Sequence, residues 1–199
     1  MNTASTDEEF IRQRNRGRRT LILLAFVFFG PLAAAFALYY GNIWKPTGMA
    51  VNGLLIQPPR PLPTDSLISG AEAPRFMDLW TLVIVAPGDC DDTCQKALVE
   101  SRQVRRALGK ERDRVQRVWL VSQGVANADF VAEQHPNLAT VPASEPRLAP
   151  VLAIIGEVAA GEVLVVDPLG NLMMRFPPGT TMRAMDTDLK KLLKTSRIG

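Results

Sequence analysis

The chain has 199 residues, 47% of them hydrophobic, and an excess of three positive charges. That length suits one folded domain with an appendage, and the composition excludes a disordered or collagen-like chain. Arg12, Arg14, Arg16, Arg18 and Arg19 stand against Asp7, Glu8 and Glu9, so two of the three excess charges fall in residues 1–19. The rest is close to neutral, which argues against nucleic acid as a partner.

Residues 20–40, TLILLAFVFFGPLAAAFALYY, carry no charge. At about 1.5 Å per residue such a helix reaches about 30 Å, the depth of a bilayer core, so the stretch predicts one N-terminal transmembrane helix. Gly30 and Pro31 are tolerated there, and Tyr39, Tyr40 and Trp44 suit the lipid–water boundary. Five arginines precede the stretch and only Lys45 closely follows it. The positive-inside rule then makes 1–19 a cytoplasmic basic tail and puts 41–199 in the periplasm of a bacterium, single-pass in the inner membrane. A cleaved signal peptide is the alternative, with Ala35-Phe36-Ala37 as a small-x-small site. The apolar stretch exceeds the roughly 7–15 residues of a signal core, however, which favours an uncleaved anchor.

Residues 41–73 read as a proline-rich periplasmic linker, with Pro46, Pro58, Pro59, Pro61 and Pro63. Within it MAVNGLLIQ (49–57) suits an edge strand or hairpin. The folded domain is expected over 74–199. Residues 79–86 form a continuous apolar, β-branched run that suits a strand buried on both faces, ending at Pro87-Gly88. A helix is predicted from about Asp91 to Gly109, a second buried strand over 117–122, and a short helix over 124–134 before Pro136. Residues 162–167 make a third strand, Asp167-Pro168-Leu169-Gly170 a turn, and 171–176 a hairpin partner. A final amphipathic helix over 181–195 spaces Met182, Met185, Leu189, Leu192 and Leu193 on one face. A βαβ unit followed by a ββα unit gives an α/β class: a thioredoxin-like mixed sheet flanked by helices.

The chain has two cysteines, Cys90 and Cys94, where the first strand hands over to the first long helix. A helix N-terminus offers unpaired N–H groups and the positive dipole end, which favour thiolate. Asp89, Asp91 and Asp92 work against thiolate by like charge while favouring the helix start. Four residues apart, the two sulfurs can form a disulfide or present two soft ligands to Cu(I). An inert bridge is the other reading, although so small a closed loop stabilises little. Zinc lacks ligands, because the chain offers two cysteines and one histidine.

The strand, Pro87-Gly88-Asp89-Cys90, three residues on Cys94, a helix, and much later a strand ending in Asp167-Pro168-Leu169-Gly170 resemble the Sco/SenC family of copper chaperones and thiol reductases for cytochrome c oxidase. The resemblance covers about 74–199 plus the anchor. It implies that Cys90 and Cys94 are the working thiols, with Cys90 attacking from a more exposed place and Cys94 resolving. It also implies that Cys90 and Cys94 hold Cu(I) with a third, distant histidine. That position falls near Ala159, and no histidine stands there. The prolines that follow each family cysteine are replaced by Asp91 and Gln95. The chain therefore looks like a divergent member that keeps the dithiol and lacks the third ligand, with copper as the cargo the resemblance implies. Its expected partners are the inner membrane and cytochrome c oxidase subunits, as an assembly factor more than a turnover enzyme. The rival readings are a non-catalytic assembly or interaction module with a structural Cys90–Cys94 bridge, and a general periplasmic thiol reductase or peroxidase.

Other residues invite a role. His135 is the weak candidate for a substitute copper ligand; a loop histidine before Pro136 is expected to be solvated. Met173 and Met174 carry thioethers, but neighbours on a strand face opposite ways, so only one can face a site. The basic run from Arg102 to Arg117 reads as a solvated helix end that can also meet anionic lipid or an acidic partner. Pro150 is the candidate for a cis-proline facing the cysteines. The sequence holds no Walker loop, no HExxH and no GxSxG, so nucleotide and hydrolase chemistry have no support.

Overall fold

The structure, a computed structural model, describes residues 4–40, 51–63, 74–196 and 198–199. Residues 41–50 and 64–73 of the expected linker therefore lie outside the described residues. The chain divides into two units, Met1–Met49 and Ala50–Gly199.

In the first unit a single helix, α1 (Ala4–Tyr40), runs through the basic tail and the apolar stretch with Pro31 inside it. Leu21, Phe26, Phe28, Phe29 and Phe36 are exposed along it. Among the described residues no helix is long and apolar enough to cross a membrane. The apolar stretch whose side chains are described covers 21–37, short of the roughly 20 residues a span requires. Thr20 and the side chains of 38–40, which complete the predicted span, lie outside that description.

The second unit is built on six strands: β1 (Leu54–Pro61), β2 (Trp80–Ala86), β3 (Val115–Val121), β4 (Leu138–Val141), β5 (Val163–Val166) and β6 (Asn171–Phe176). Their order across the sheet is β1-β6-β5-β2-β3-β4. β2, β3 and β4 are parallel, whereas β5, β6 and β1 add antiparallel. This is the expected mixed sheet. Period-two alternation splits β2 between two cores. Leu82 and Ile84 face the layer of α2 (Asp92–Ala107), α3 (Ala128–Gln134) and α5 (Met182–Thr195). Val83 faces α4 (Leu148–Ile155), with Phe76, Leu148, Val151 and Ile155. β1 realises the expected edge strand, and Pro58, Pro59 and Pro61 along it suit an edge, where missing N–H donors cost the sheet nothing.

Two elements add to the pattern expected from sequence. β4 is only four residues long and follows the His135-Pro136-Asn137 turn, too short to show a period. α4 holds Pro150 in its first turn, where a helix has no use for the missing N–H. Pro150 is thus helical and exposed, not the cis-proline candidate; among the described residues the cis peptide bond is Gln57–Pro58. Arg117 departs from the expected solvated basic run. It lies inside β3, 1% exposed, and donates to the Leu98 carbonyl at 2.8 Å and to Ser101 Oγ at 3.1 Å on α2. Burial, then Arg102, Arg105 and Arg106, lowers its pKa to about 10.

Candidate functional site

The site forms where β2 ends. Trp119 Nε1 donates to the Ala86 carbonyl at 3.2 Å and Ser122 N–H donates to the same oxygen at 3.0 Å, fixing the last residue of the strand. The chain then turns through Pro87–Cys90, closed by the Cys90 N–H on the Pro87 carbonyl at 3.2 Å. Gly88 N–H donates to the Gln123 carbonyl at 2.8 Å, and a side chain at Gly88 would meet the Val125 backbone at 2.4 Å. Only glycine allows that approach. It seats the 123–126 loop directly on the cysteine turn, with the Val125 side chain 85% exposed.

Cys90 has φ +41°, a left-handed conformation unusual for a residue with a Cβ. Asp91 caps α2, its Oδ1 accepting the Cys94 N–H at 2.9 Å. Gln95 Nε2 donates to the Cys90 carbonyl at 3.0 Å. Cys90 and Cys94 are joined in a disulfide with their Cα atoms 5.1 Å apart. Both are buried, at 5% and 2% exposure, inside the core cluster of β2, α2 and α5. Cys90, expected as the more exposed of the two, exceeds Cys94 only by this margin.

The 156–162 segment runs beside α2. Gly161 has φ +80°, and a Cβ there would meet the Thr93 methyl at 2.8 Å. The position where the resemblance expects a histidine, Ala159, sits two residues earlier. Its N–H donates to Glu162 Oε2 at 3.0 Å, and that carboxylate pairs with Arg175 at 3.4 Å. The Glu162 carboxylate is therefore engaged. A groove of about 260 Å³ opens alongside, lined by Asp92, Thr93, Lys96, Glu100, Gly161 and Gly179.

His135 lies elsewhere. It closes α3, and its carbonyl accepts the N–H of Leu138, which sits opposite Arg117 at the start of the β3–β4 pairing. The cysteines follow Ala86, which pairs with Val121 at the other end of β3. Four residues of strand separate these levels, about 13 Å at ~3.3 Å per residue. Nor is His135 solvated: it is 1% exposed, 4.9 Å from the Phe130 ring, and neither ring nitrogen has a hydrogen-bond partner among the described residues. Burial, then Arg117 and Arg102, pushes its pKa down to about 4.

Met174 is fully buried and Met173 packs partly against the same core. A register shift between Val165 and Val166 breaks the alternation of β6, so both methionines meet one cluster. Among the described residues no group of three or more His, Cys, Asp or Glu side chains can hold a metal ion. Around Cys90 and Cys94 the described residues therefore group no third His, Cys, Asp or Glu donor for copper.

The family model "Transmembrane-like, thioredoxin-like, C-terminal domain" matches residues 80–196, and "Transmembrane-like, N-terminal domain" matches residues 12–42. No curated protein matches the sequence. Among solved structures, apo Sco1 of Thermus thermophilus is similar at 18% identity and TM-score 0.56, over 73% of this chain and 99% of that one. A SCO1/SenC family lipoprotein of Bacillus anthracis aligns at 13% identity and TM-score 0.52, over 69% and 98%. Copper-bound yeast Sco1 aligns at 10% identity and TM-score 0.52, over 61% and 79%. These likenesses establish the thioredoxin-like fold.

Proposed function

Because the chain belongs to the family of transmembrane-like proteins with a thioredoxin-like C-terminal domain, we propose that it is a membrane-anchored thiol–disulfide protein of cytochrome c oxidase assembly. The observation that carries this reading is the Cys90–Cys94 pair, within disulfide reach at the junction of β2 and α2. Residues 1–19 lie in the cytoplasm, 20–40 cross the inner membrane once and 41–199, with the folded domain, lie in the periplasm, where disulfides persist. The oxidase reading draws on the fold shared with Sco proteins and on the sequence resemblance.

In the reduced chain the Cys90 thiolate attacks a disulfide between the two cysteines of an oxidase copper site. One partner sulfur bonds to Cys90 and the other leaves as thiolate. Cys94 sulfur then attacks Cys90 sulfur, the Cys90–Cys94 bond forms, and the second partner sulfur leaves. Two electrons pass to the partner, and the two protons given up by Cys90 and Cys94 end on its thiols. An external thioredoxin-like dithiol restores the reduced state. Copper is the partner's ligand in this scheme. The chain's two thiols can meet Cu(I) as a passing cargo, although among the described residues no third His, Cys, Asp or Glu is grouped with the pair.

The near-complete burial of both cysteines favours a second reading, in which the bridge is structural and the domain is a non-catalytic interaction module. Cells lacking the chain and supplied with Cys90→Ala or Cys94→Ala decide between the two. The thiol reading expects oxidase short of copper in both variants; full copper content supports the module.

A further inference from the structure

Each residue that follows one cysteine holds the backbone of the other. Asp91, next to Cys90, accepts the Cys94 N–H on Oδ1 at 2.9 Å. Gln95, next to Cys94, donates Nε2 to the Cys90 carbonyl at 3.0 Å. The two are themselves joined, Gln95 N–H to the Asp91 carbonyl at 2.9 Å. Neither side chain is buried, so neither serves the core.

We propose that Asp91 and Gln95 are positioning residues, a reciprocal backbone clamp that sets the equilibrium between the Cys90–Cys94 dithiol and disulfide. The inference rests on the thiol-exchange reading and adds to it the residues that tune it. Cys90 needs the hold, because its φ of +41° is a conformation that a side chain disfavours. Released, it relaxes to negative φ, the turn swings, and the Cys90 sulfur leaves the range of Cys94. The Gln95 bond to the Cys90 carbonyl acts against that relaxation. The Asp91 cap fixes Cys94 at the first turn of α2, where the sulfur must wait. The clamp therefore stabilises the closed pair over the open one. One hydrogen bond of this type is worth about a three- to tenfold change in such an equilibrium.

The test uses the full chain in detergent micelles, equilibrated anaerobically in graded mixtures of reduced and oxidised dithiothreitol, with the disulfide fraction read by alkylation. Gln95→Ala and Gln95→Glu, the second nearly isosteric but without the donor, each shift the equilibrium toward dithiol by about three- to tenfold. Their dithiol forms melt at the wild-type temperature. Asp91→Asn and Asp91→Ala both lack the charge, and Asn keeps the capping oxygen; the clamp requires Asn to hold the disulfide at least threefold better. Gln95 variants within twofold of wild type, in a wild type that does exchange, overturn the clamp alone. So do Gln95 variants whose dithiol forms melt lower, because the residue then serves general stability. A wild-type disulfide that excess dithiothreitol does not open in the folded chain overturns the thiol-exchange reading and the clamp with it.

Discussion

Asp188, fully buried in α5, accepts the backbone N–H of Asn52 at 2.6 Å and its side-chain amide at 3.0 Å. The same carboxylate takes the Gly53 N–H at 3.0 Å. One acid thus fastens the chain just before β1, so the edge strand belongs to the folded unit. Replacing Asp188 by Ala leaves two backbone donors with no acceptor beneath them. Charge-assisted bonds of this kind are worth about 1.5–3 kcal/mol each, and denaturant melts of Asp188→Ala are expected to show a loss of at least that size. Asp188→Asn keeps one acceptor oxygen and loses less.

Gly88 tests how the cysteine turn is held. Its missing Cβ lets the Val125 backbone close on the turn, and an added methyl would sit 2.4 Å from the Val125 carbonyl carbon. Backbone on both sides leaves little to yield, so Gly88→Ala displaces the 123–126 loop and costs about 1–3 kcal/mol. With the cover displaced, the disulfide also reacts faster with dithiothreitol. Stopped-flow reduction at equal fractions folded checks this; an unchanged rate would show that the loop is not the cover.

His135 gives the fold a defined acid sensitivity. The unfolded chain binds the proton near the ordinary value of 6.5, whereas the folded chain binds it only at about 4. The stabilisation is complete above about pH 6.5, declines as pH falls toward 4 and is gone below it. The slope is at most about 1.4 kcal/mol per pH unit, one proton's worth. His135→Leu flattens stability against pH across that window. Arg117→Met removes a neighbouring cation, so the histidine titrates higher and the window narrows. Arg117→Met also leaves the Leu98 carbonyl and Ser101 Oγ without that donor, at a cost of about 1–3 kcal/mol that does not vary with pH. Urea melts from pH 4 to pH 8 on the three chains measure both effects.

Copper binding follows from the donor set. The reduced chain offers two thiolates, and the resemblance puts the third-ligand position near Ala159, where no histidine stands. An anaerobic Cu(I) titration against a competing chelator is expected to show weak competition by the reduced wild type. Because Gly161 packs the same segment onto Thr93, Ala159→His brings an imidazole toward the pair. Affinity should rise at least tenfold, and His135→Ala should change nothing. Tight one-to-one binding by the wild type that His135→Ala abolishes would contradict this.

Much of the domain is legible in the sequence because its signals are local. The unbroken apolar run of β2, the hairpin around Asp167–Gly170 and the spaced apolar face of α5 each declare an element. The cysteine pair declares the site, since its place between strand and helix is a matter of chain order. What resists reading depends on distant neighbours. Four residues of β4 carry no period, and Pro150 hides a helix whose first turn tolerates it. His135 looks like a loop histidine until Phe130 and the start of β3 close over it. The Asp188 carboxylate is one acid among many on an amphipathic helix, and only the fold brings Asn52 to it. The bulge in β6 likewise defeats the alternation rule at Met173 and Met174.

Under the proposed function Cys90 exchanges with cysteines of an oxidase copper site and Cys94 resolves the adduct. This exchange is tested most directly by trapping that adduct in membranes carrying full-length Cys94→Ser, alkylated at harvest. A dithiothreitol-sensitive conjugate with the copper-site subunit of cytochrome c oxidase is expected, absent from Cys90→Ser and from the double variant. No conjugate, together with oxidase of full copper content in cells carrying the double variant, would contradict it and leave Cys90–Cys94 a structural bridge.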